Sequence, residues 1–269
     1  MIATIKSEWR KNRFRPAMLA SMAVMAALPV LGYGVLWYDA THPGNSDHPV
    51  TLASLYPDQF VVVALSATFP LGAALAIVLG ALVSGSDYNW GTLETVLTQG
   101  PSRVTYWAGR VAVFAFWMAL ITVAAFVTAV LSSTVIAITE GHAIAWPAVD
   151  VVIKSAAAIW LIQLANGTIG LALGVVIRQS AMALGIGLVY FLSVEGIALR
   201  FIDSLNNGAY QWVGNLFIDQ NAYALLQHFF ADVVVRLPIS ESQSVAVLVT
   251  YAVALTAVGA AILRQRDVT

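Results

Sequence analysis

The chain contains no cysteine and unusually little charge. Without a thiol it cannot form a disulfide, a thiolate zinc site, an iron–sulfur cluster or a cysteine nucleophile. Only 10% of its 269 residues are charged, whereas an average soluble domain carries about 25%. Hydrophobic residues make up 59% of the chain. Because so apolar a chain cannot cover a water-facing surface, we expect lipid to surround much of it.

Lysine is also scarce, which excludes one way of binding nucleotide. The three lysines are Lys6, Lys11 and Lys154, and none follows a glycine. The Gly-Lys pair of a P-loop is therefore missing, and we expect no ATP to be bound by this chain in that manner. The sequence also lacks G-x-S-x-G and H-E-x-x-H motifs, so neither a catalytic residue nor a metal site is expected. A net charge of −1 gives no basic field for nucleic acid.

The long apolar runs predict an all-α, polytopic membrane protein. Crossing a hydrocarbon core of about 30 Å takes about 20 helical residues. Six segments meet this requirement: Ala17–Tyr38, Phe60–Ser84, Val104–Ile138, Val151–Ile177, Ala181–Leu199 and Val245–Leu263. The third is longer than one crossing needs, so we expect its first turns to lie outside the membrane. Together they predict one transmembrane domain over residues 1–269.

Basic residues predict how these spans are oriented. Ten of the 13 Lys and Arg residues would lie on one side: Lys6, Arg10, Lys11, Arg13, Arg15, Arg103, Arg110, Arg178, Arg264 and Arg266. On the other side, Asp39–Gln59 and Thr139–Asp150 contain neither Lys nor Arg. By the positive-inside rule, the basic side is the cytoplasm, and both termini lie there.

The N-terminal residues 1–15 predict an interfacial helix. Ile2, Ile5 and Trp9 recur at helical spacing, and basic side chains between them can reach lipid phosphates. A cleavable signal peptide is the alternative, because a basic stretch precedes an apolar run. That run has about 22 residues, which exceeds the usual apolar core of a signal peptide. The interfacial helix is therefore favoured.

The stretch 200–244 before the last span is open to two interpretations. Its apolar patch Ala222–Leu237 is long enough to suggest a seventh span. However, the patch contains Gln227, His228, Asp232 and Arg236, each costly in a lipid-exposed helix. A seventh span would also place Arg264 outside. We therefore expect short interfacial or re-entrant helices in an outer loop.

The most informative segment lies between the second and third spans, at residues 84–103. It reads SGSDYNWGTLETVLTQGPSR. Gly91 before and Gly100-Pro101 after predict a short helix over Thr92–Gln99. Leu93, Val96 and Leu97 would form an apolar ridge on this helix. Such a ridge fits either a groove in a partner protein or the ends of the chain's own spans. The residues alone do not choose between these two.

This segment resembles the signature of ABC-2 type permeases. That signature follows the second span and runs acidic-x-x-x-G-T-L, then a short helix, then P-x-S/T-R. The matching residues are Asp87, Gly91, Thr92, Leu93, Pro101, Ser102 and Arg103. The six-span layout and the basic ends are also similar to this family. The chain departs from the pattern at Asp87, where Glu is commoner, and at Gln99-Gly100, where hydroxyl residues are usual.

The resemblance implies a subunit of an ATP-driven exporter. The segment would be a coupling helix that docks on a separate ATP-binding subunit through Asp87, Gly91, Thr92, Leu93, Glu94, Val96, Leu97 and Arg103. Two permease chains, as a homodimer or with a paralogue, would pair with two copies of that ATPase in the cell membrane. ATP and Mg would be bound by the ATPase, and this chain would hold no cofactor. An amphiphilic or hydrophobic compound would suit the apolar interior as substrate.

Polar residues inside the spans are the remaining candidates. Lys154 and Glu195 are expected at similar depth in adjacent spans, where pairing would relieve the cost of two buried charges. Their role would be either a tether between spans or a contact for substrate. Gln163 and Asn166 share one face of the fourth span and predict interhelical hydrogen bonds. An ion-gradient-driven transporter that uses Glu195 and Lys154 is the alternative function.

Glycines and prolines predict how the spans pack and bend. Gly167, Gly170 and Gly174 on the fourth span and Gly72 and Gly80 on the second predict a close approach of helix backbones. Pro29 and Pro70 predict kinks in the first and second spans.

Overall fold

The computed structural model describes residues 2–42, 50–89, 102–204, 210–230 and 236–265. Regular structure in these ranges is helical throughout. In chain order the helices are α1 Ile2–Arg13, α2 Pro16–Thr41, α3 Phe60–Thr68, α4 Leu71–Asn89, α5 Arg103–Thr139, α6 Val149–Ile177, α7 Ser180–Val189, α8 Glu195–Ser204, α9 Gln211–Gly214, α10 Ile218–Gln227 and α11 Glu241–Gln265. One π turn, Tyr190–Val194, joins α7 to α8.

Six helices in the described residues are long and apolar enough to cross a membrane. They are Pro16–Thr41, Leu71–Tyr88, Arg103–Thr139, Val149–Ile177, Ser180–Ile202 and Glu241–Gln265. The predicted number of spans is thus confirmed, and the chain is a multi-pass membrane protein. The third span is the longest, at 37 residues, as its apolar length indicated.

Proline 70 changes the second span from the predicted single helix. The run Phe60–Ser84 is divided into α3 and α4, and Phe69 ends α3 in an extended conformation. A residue that precedes proline is disfavoured in the α region, because the proline ring clashes with its backbone. Pro29, in contrast, lies inside α2, which continues past it. Pro70 therefore breaks its span, whereas Pro29 leaves its helix continuous.

The fourth span, α6, lies at the centre of the bundle. Over an apolar stretch of 18 residues, α6 is 72% buried inside the bundle. The corresponding stretches of α2, the fifth span and α11 are 22%, 17% and 17% buried. The most extensive helix pairing is between α4 and α6. A Cβ at Gly80 would collide with the carbonyl oxygen of Gly167, and one at Gly170 with the carbonyl oxygen of Ile77. The close approach predicted from these glycines is confirmed.

Two apolar clusters fill the bundle, one toward each end. The first joins Met18, Trp107, Phe114 and Leu263 with their neighbours. We call this end the basic end, because Lys11, Arg15 and Arg110 lie there. The second cluster joins Phe60, Phe126, Ile159 and Leu225 with theirs, toward what we call the opposite end. Both clusters use side chains from several spans, so each holds the bundle together over half of its length.

The loop at 200–244 contains short helices, as the polar residues in it predicted. α9 spans four residues and α10 ten. α10 ends at Gln227, and it is not one of the helices in the described residues that are long and apolar enough to cross a membrane. The seven-span alternative is therefore not supported. The N-terminal segment is helical, as α1, and its position at the membrane interface stays a prediction.

The predicted helix Thr92–Gln99 lies outside the described residues. With it lie Gly91, Thr92, Leu93, Glu94, Val96 and Leu97. Their role in docking a partner stays a prediction. The flanks of this segment, at Asp87 and Arg103, are described and give the site considered next.

Candidate functional site

A buried group of charges lies at the basic end, where the chain leaves α4 and returns on α5. We call it the charge cluster. Its members are Glu8, Lys11, Arg15, Asp87, Tyr106 and Arg110. Three cations here face two carboxylates, so the cluster carries a formal excess of one positive charge. Buried charges are tolerated in proteins only when they are paired and hydrogen-bonded.

Asp87 is the central acceptor of the charge cluster. The side chain is only 1% exposed and forms ion pairs with Lys11 and Arg110. The Tyr106 hydroxyl donates a hydrogen bond to Asp87 Oδ2 over 2.5 Å. The second span was expected to end at Ser84, yet α4 continues to Asn89. Asp87 is therefore a helical residue held in the bundle rather than a loop residue.

Arg110 links Asp87 to the N-terminal helix. Its Nε and Nη2 donate to the two carboxylate oxygens of Glu8, each over 3.3 Å. This two-pronged geometry is the strong form of an arginine–carboxylate pair. Gly109 makes the contact possible, since a Cβ there would lie 3.0 Å from Thr4 Cγ2. Because Gly109 has no side chain, α1 packs closely against α5, and Glu8 comes within hydrogen-bond distance of Arg110.

The remaining cations fasten α1 and α2 to the end of α4. Arg15 Nη2 donates to Ser86 Oγ over 2.9 Å and Nη1 to the carbonyl oxygen of Leu82 over 3.3 Å. A cation near the last carbonyls of a helix is favoured by the helix dipole. Burial lowers the pKa of Lys11, with Arg110 adding to this effect and Asp87 opposing it. Lys11 nonetheless stays paired with Asp87, because that contact compensates part of the desolvation.

The start of α5 is fixed by its own cap and by the last span. Ser102 Oγ accepts from the backbone N–H of Thr105 over 3.2 Å, which is a standard N-cap interaction. Arg103 Nη1 donates to the carbonyl oxygen of Leu263 in α11 over 3.1 Å. The resemblance implies that Asp87 and Arg103 hold the two ends of the predicted 92–99 helix, and this stays a prediction. Asp87 itself is held by the charge cluster and Arg103 by the last span.

A second polar site lies around Glu195, directly after the π turn. This carboxylate is 3% exposed and accepts from the Tyr190 hydroxyl over 2.5 Å. It also accepts from the backbone N–H groups of Ile218 over 3.3 Å and Asp219 over 2.9 Å. These N–H groups belong to the first turn of α10, whose own N-cap residue Phe217 makes no side-chain cap. Glu195 therefore caps α10 from another helix and satisfies its positive dipole.

Asp219 brings a second carboxyl group to the same place. Burial, together with the nearby Glu195 charge, raises its pKa to about 6. Its Oδ1 atom is buried and has no hydrogen-bond partner among the described residues. The described residues thus hold a carboxyl pair that the sequence alone did not indicate.

The predicted pairing of Lys154 with Glu195 is wrong. Lys154 Nζ lies 3.4 Å from Asp150 Oδ2, one helical turn away on α6, and both side chains are 64% exposed. Glu195 instead has its carboxylate filled by a tyrosine and two backbone donors. The reason is that α10 places unpaired N–H groups next to Glu195, and these meet its need for donors without a cation. An exposed lysine at a helix end also reaches water at little cost.

Gln163 and Asn166 are buried, as expected for residues between spans. Gln163 Oε1 lies 3.1 Å from the Thr122 hydroxyl of α5, within hydrogen-bond distance, so the predicted link between spans is confirmed for this residue. Asn166 donates within its own helix to the carbonyl oxygen of Ile162 over 3.0 Å. The predicted interhelical hydrogen bond of Asn166 is therefore not seen in the described part of the chain.

Sequence reasoning missed most partners of the two sites. Glu8, Arg15 and Tyr106 were not singled out, although Glu8 follows Thr4 at helical spacing on α1. That spacing of two polar residues on one face of α1 was the available signal. For Asp219 the signal was weaker, since an acidic residue in the first turn of a short helix is common. Neither pattern identifies the residue with which Glu8 or Asp219 interacts.

Comparison with known proteins gives a family but no activity. No curated protein matches the chain. A family model described as "Protein of unknown function (DUF2705)" matches residues 53–269. The matched region includes Asp87, Tyr106, Arg110, Glu195 and Asp219, whereas Glu8, Lys11 and Arg15 precede it. Because the match covers well over half of the sequence, this chain belongs to the DUF2705 family.

Proposed function

We propose that this chain is the permease subunit of an ATP-driven exporter of the ABC-2 type. Two such chains, as a homodimer, pair with two copies of a separate ATPase that binds ATP and Mg. The basic end faces the cytoplasm of the cell, and both termini lie on that side. The transported compound is amphiphilic or hydrophobic. The resemblance of residues 87–103 to the family signature is the starting point of this proposal.

The observation that carries the proposal is the anchoring of both flanks of residues 90–101. Asp87 lies just before this segment, and Ser102, Arg103 and Tyr106 lie just after it. The charge cluster ties α4, α5 and α1 together by buried ion pairs. A segment held at both ends by rigid helices transmits a displacement to them, whereas a loosely attached loop absorbs it. The arrangement thus suits a lever between an ATPase and the spans.

Mechanistically, the ATPase would move residues 92–99, and the charge cluster would pass the motion to three helices at once. α4 and α6 are in backbone contact at Gly80 and Gly167, so α4 cannot shift without displacing the central span. Packed helices respond to such a push by switching between discrete arrangements. The transport path would open and close at the interface of two permease chains.

The test replaces the ridge of the predicted coupling helix. Leu93→Asp or Leu97→Asp places a charge in the proposed ATPase groove, where an unpaired buried charge costs about 3 kcal/mol or more. Binding should weaken more than about a hundredfold, at 1.4 kcal/mol per decade. Thr95→Asp is the matched control, because helical spacing predicts Thr95 on the face opposite Leu93 and Leu97. The measurements are retention of the ATPase on purification and ATP-dependent transport in vesicles.

Two results would contradict the proposal. Wild-type ATPase retention and transport in both ridge variants would remove the coupling assignment. Loss of folding in the ridge variants, with Thr95→Asp intact, would mean that the ridge packs on the chain's own spans.

A proton-driven transporter is a second candidate, because of the Glu195–Asp219 carboxyl pair. Buried carboxyl groups inside membranes serve as proton relays in many transporters. Lys154, proposed earlier as the partner of Glu195, has no part in this version. Proton flux into proteoliposomes of the purified chain, without any ATPase, tests it. Flux that is lost in Glu195→Gln and Asp219→Asn would favour this function over the first.

A further inference from the structure

A deep apolar groove runs along the bundle at the basic end, between α5 and α11. Its volume is about 500 Å³, within the range of roughly 300–1,000 Å³ that ligand pockets occupy. Ala108, Ala112 and Ala115 form one wall, and Val253, Ala257 and Ala260 form the other. Small residues on both facing walls leave a channel where larger side chains would interdigitate.

The groove has a rigid floor made by Trp107. This indole is 2% exposed and donates its Nε1–H to the carbonyl oxygen of Thr256 on α11 over 2.8 Å. Gly259 makes room for the ring, since a Cβ there would collide with Trp107. The indole therefore stands as a spacer that sets the separation of α5 and α11. The groove is built by this contact and is not a chance gap between loosely packed helices.

The groove leads to a basic side chain at its mouth. A second cavity of about 560 Å³ shares Val104, Ala257 and Ala260 with the groove and is also lined by Arg264 and Gln265. Arg264 is exposed and takes part in none of the ion pairs among the described residues. The lining residues that the structure describes include no acidic side chain in either cavity. Among these residues, Arg264 is the cation at the polar end of an apolar channel.

We propose that this groove binds an anionic phospholipid. One acyl chain lies between α5 and α11 against Trp107, and the phosphate group lies at Arg264. The guanidinium donates in a planar fork that matches phosphate oxygens. The apolar walls exclude water and suit a hydrocarbon chain, while a positive charge that forms no ion pair with the described residues selects an acidic headgroup. This inference does not depend on an ATPase partner.

Two variants separate the acyl chain from the headgroup. Ala257→Phe fills the groove from the wall that both cavities share. Arg264→Gln removes the charge at the mouth and leaves the groove open. Because Arg264 is exposed in the last turn of α11, this second variant should fold normally even if the first does not. Val189→Phe, at an exposed position on α7, and Arg200→Gln, an exposed cation on α8, are the matched controls.

The experiment measures lipid retained by the full chain in nanodiscs and after transfer to detergent. Native mass spectrometry counts bound phosphatidylglycerol and phosphatidylcholine from an equimolar mixture. Wild type and both controls should retain one phosphatidylglycerol in preference to phosphatidylcholine. Arg264→Gln should lower that preference about fivefold. One basic residue near an anionic lipid contributes about 1 kcal/mol, and about 1.4 kcal/mol corresponds to a tenfold change in affinity. Ala257→Phe should lose the retained lipid of either type.

Three outcomes would overturn the inference. Equal retention in wild type, Ala257→Phe and Arg264→Gln would show only annular lipid. Retention that depends on the groove but not on headgroup charge would exclude the role of Arg264. Efficient disulfide formation between two chains that carry Ala257→Cys, in lipid-replete nanodiscs, would show that a second copy occupies the groove instead.

Discussion

The carboxylate of Glu195 accepts a hydrogen bond from the backbone N–H of Asp219 over 2.9 Å. A residue in the fifth span thereby caps a short helix that begins 23 positions later in the chain. The contact joins a span to the loop that precedes the last span. It also brings two carboxyl groups to one place, and burial of Asp219 together with the nearby Glu195 charge raises the pKa of Asp219 to about 6.

Double-mutant cycles should find Glu195 coupled to Tyr190 and not to Lys154. Tyr190→Phe removes the 2.5 Å hydrogen bond to Glu195, so the cycle with Glu195→Gln should give a coupling of about 0.5–3 kcal/mol. Lys154→Met is the matched comparison, and its effect should add to that of Glu195→Gln within about 0.5 kcal/mol. Thermal unfolding in detergent measures each variant. A strong Lys154 coupling would contradict the structure of this site.

The stability of the chain should fall as the pH rises through about 6, because of Asp219. Its pKa is raised from 3.8 to about 6, so the folded state favours the protonated carboxyl. The resulting stabilisation is complete below 3.8 and is lost as the pH rises through about 6. Asp219→Asn should flatten this part of the unfolding profile. Asp58→Asn, at an exposed carboxylate, should leave it unchanged; an unaltered profile in Asp219→Asn would contradict the assignment.

Removal of the Asp87 charge should destabilise the basic end strongly. Asp87→Asn leaves Lys11, Arg15 and Arg110 to share Glu8 alone, and breaking a buried ion pair costs about 3–5 kcal/mol. Asp150→Asn is the control, since its exposed pair with Lys154 should contribute at most about 1 kcal/mol. Unfolding midpoints in detergent compare the two. Similar small losses would mean that the charge cluster is not a structural anchor.

Cysteine labelling should place Ser46 and Ser102 on opposite sides of the membrane. The chain has no cysteine of its own, so single Ser→Cys variants need no further background changes. In intact cells an impermeant maleimide should label Ser46→Cys but not Ser102→Cys, and permeabilised cells should label both. Labelling of both from outside would contradict an orientation with cytoplasmic termini.

The sequence alone determined the number of spans and, apart from the bounds of the second, their approximate places along the chain. An apolar run of about 20 residues has only one stable arrangement in lipid, a helix that satisfies its own backbone. Local chemistry also predicted a bend at Pro70, although not the division of that span into two helices, and the close approach at Gly80 and Gly167. Each of these depends on residues that are adjacent in the chain or on the size of one side chain.

Only the tertiary structure decided which polar groups meet. The sequence placed Lys154 and Glu195 at similar depth, but depth does not fix the rotation of a helix or the position of a loop. The carboxylate of Glu195 accepts hydrogen bonds from backbone N–H groups of α10. Arg110 donates to Glu8, which lies 102 positions away in the sequence. Such pairs form where packing brings the two groups together, since a buried carboxylate accepts a hydrogen bond from any donor within reach. The periodicity of one helix carries no information about the helix on the other side of the contact.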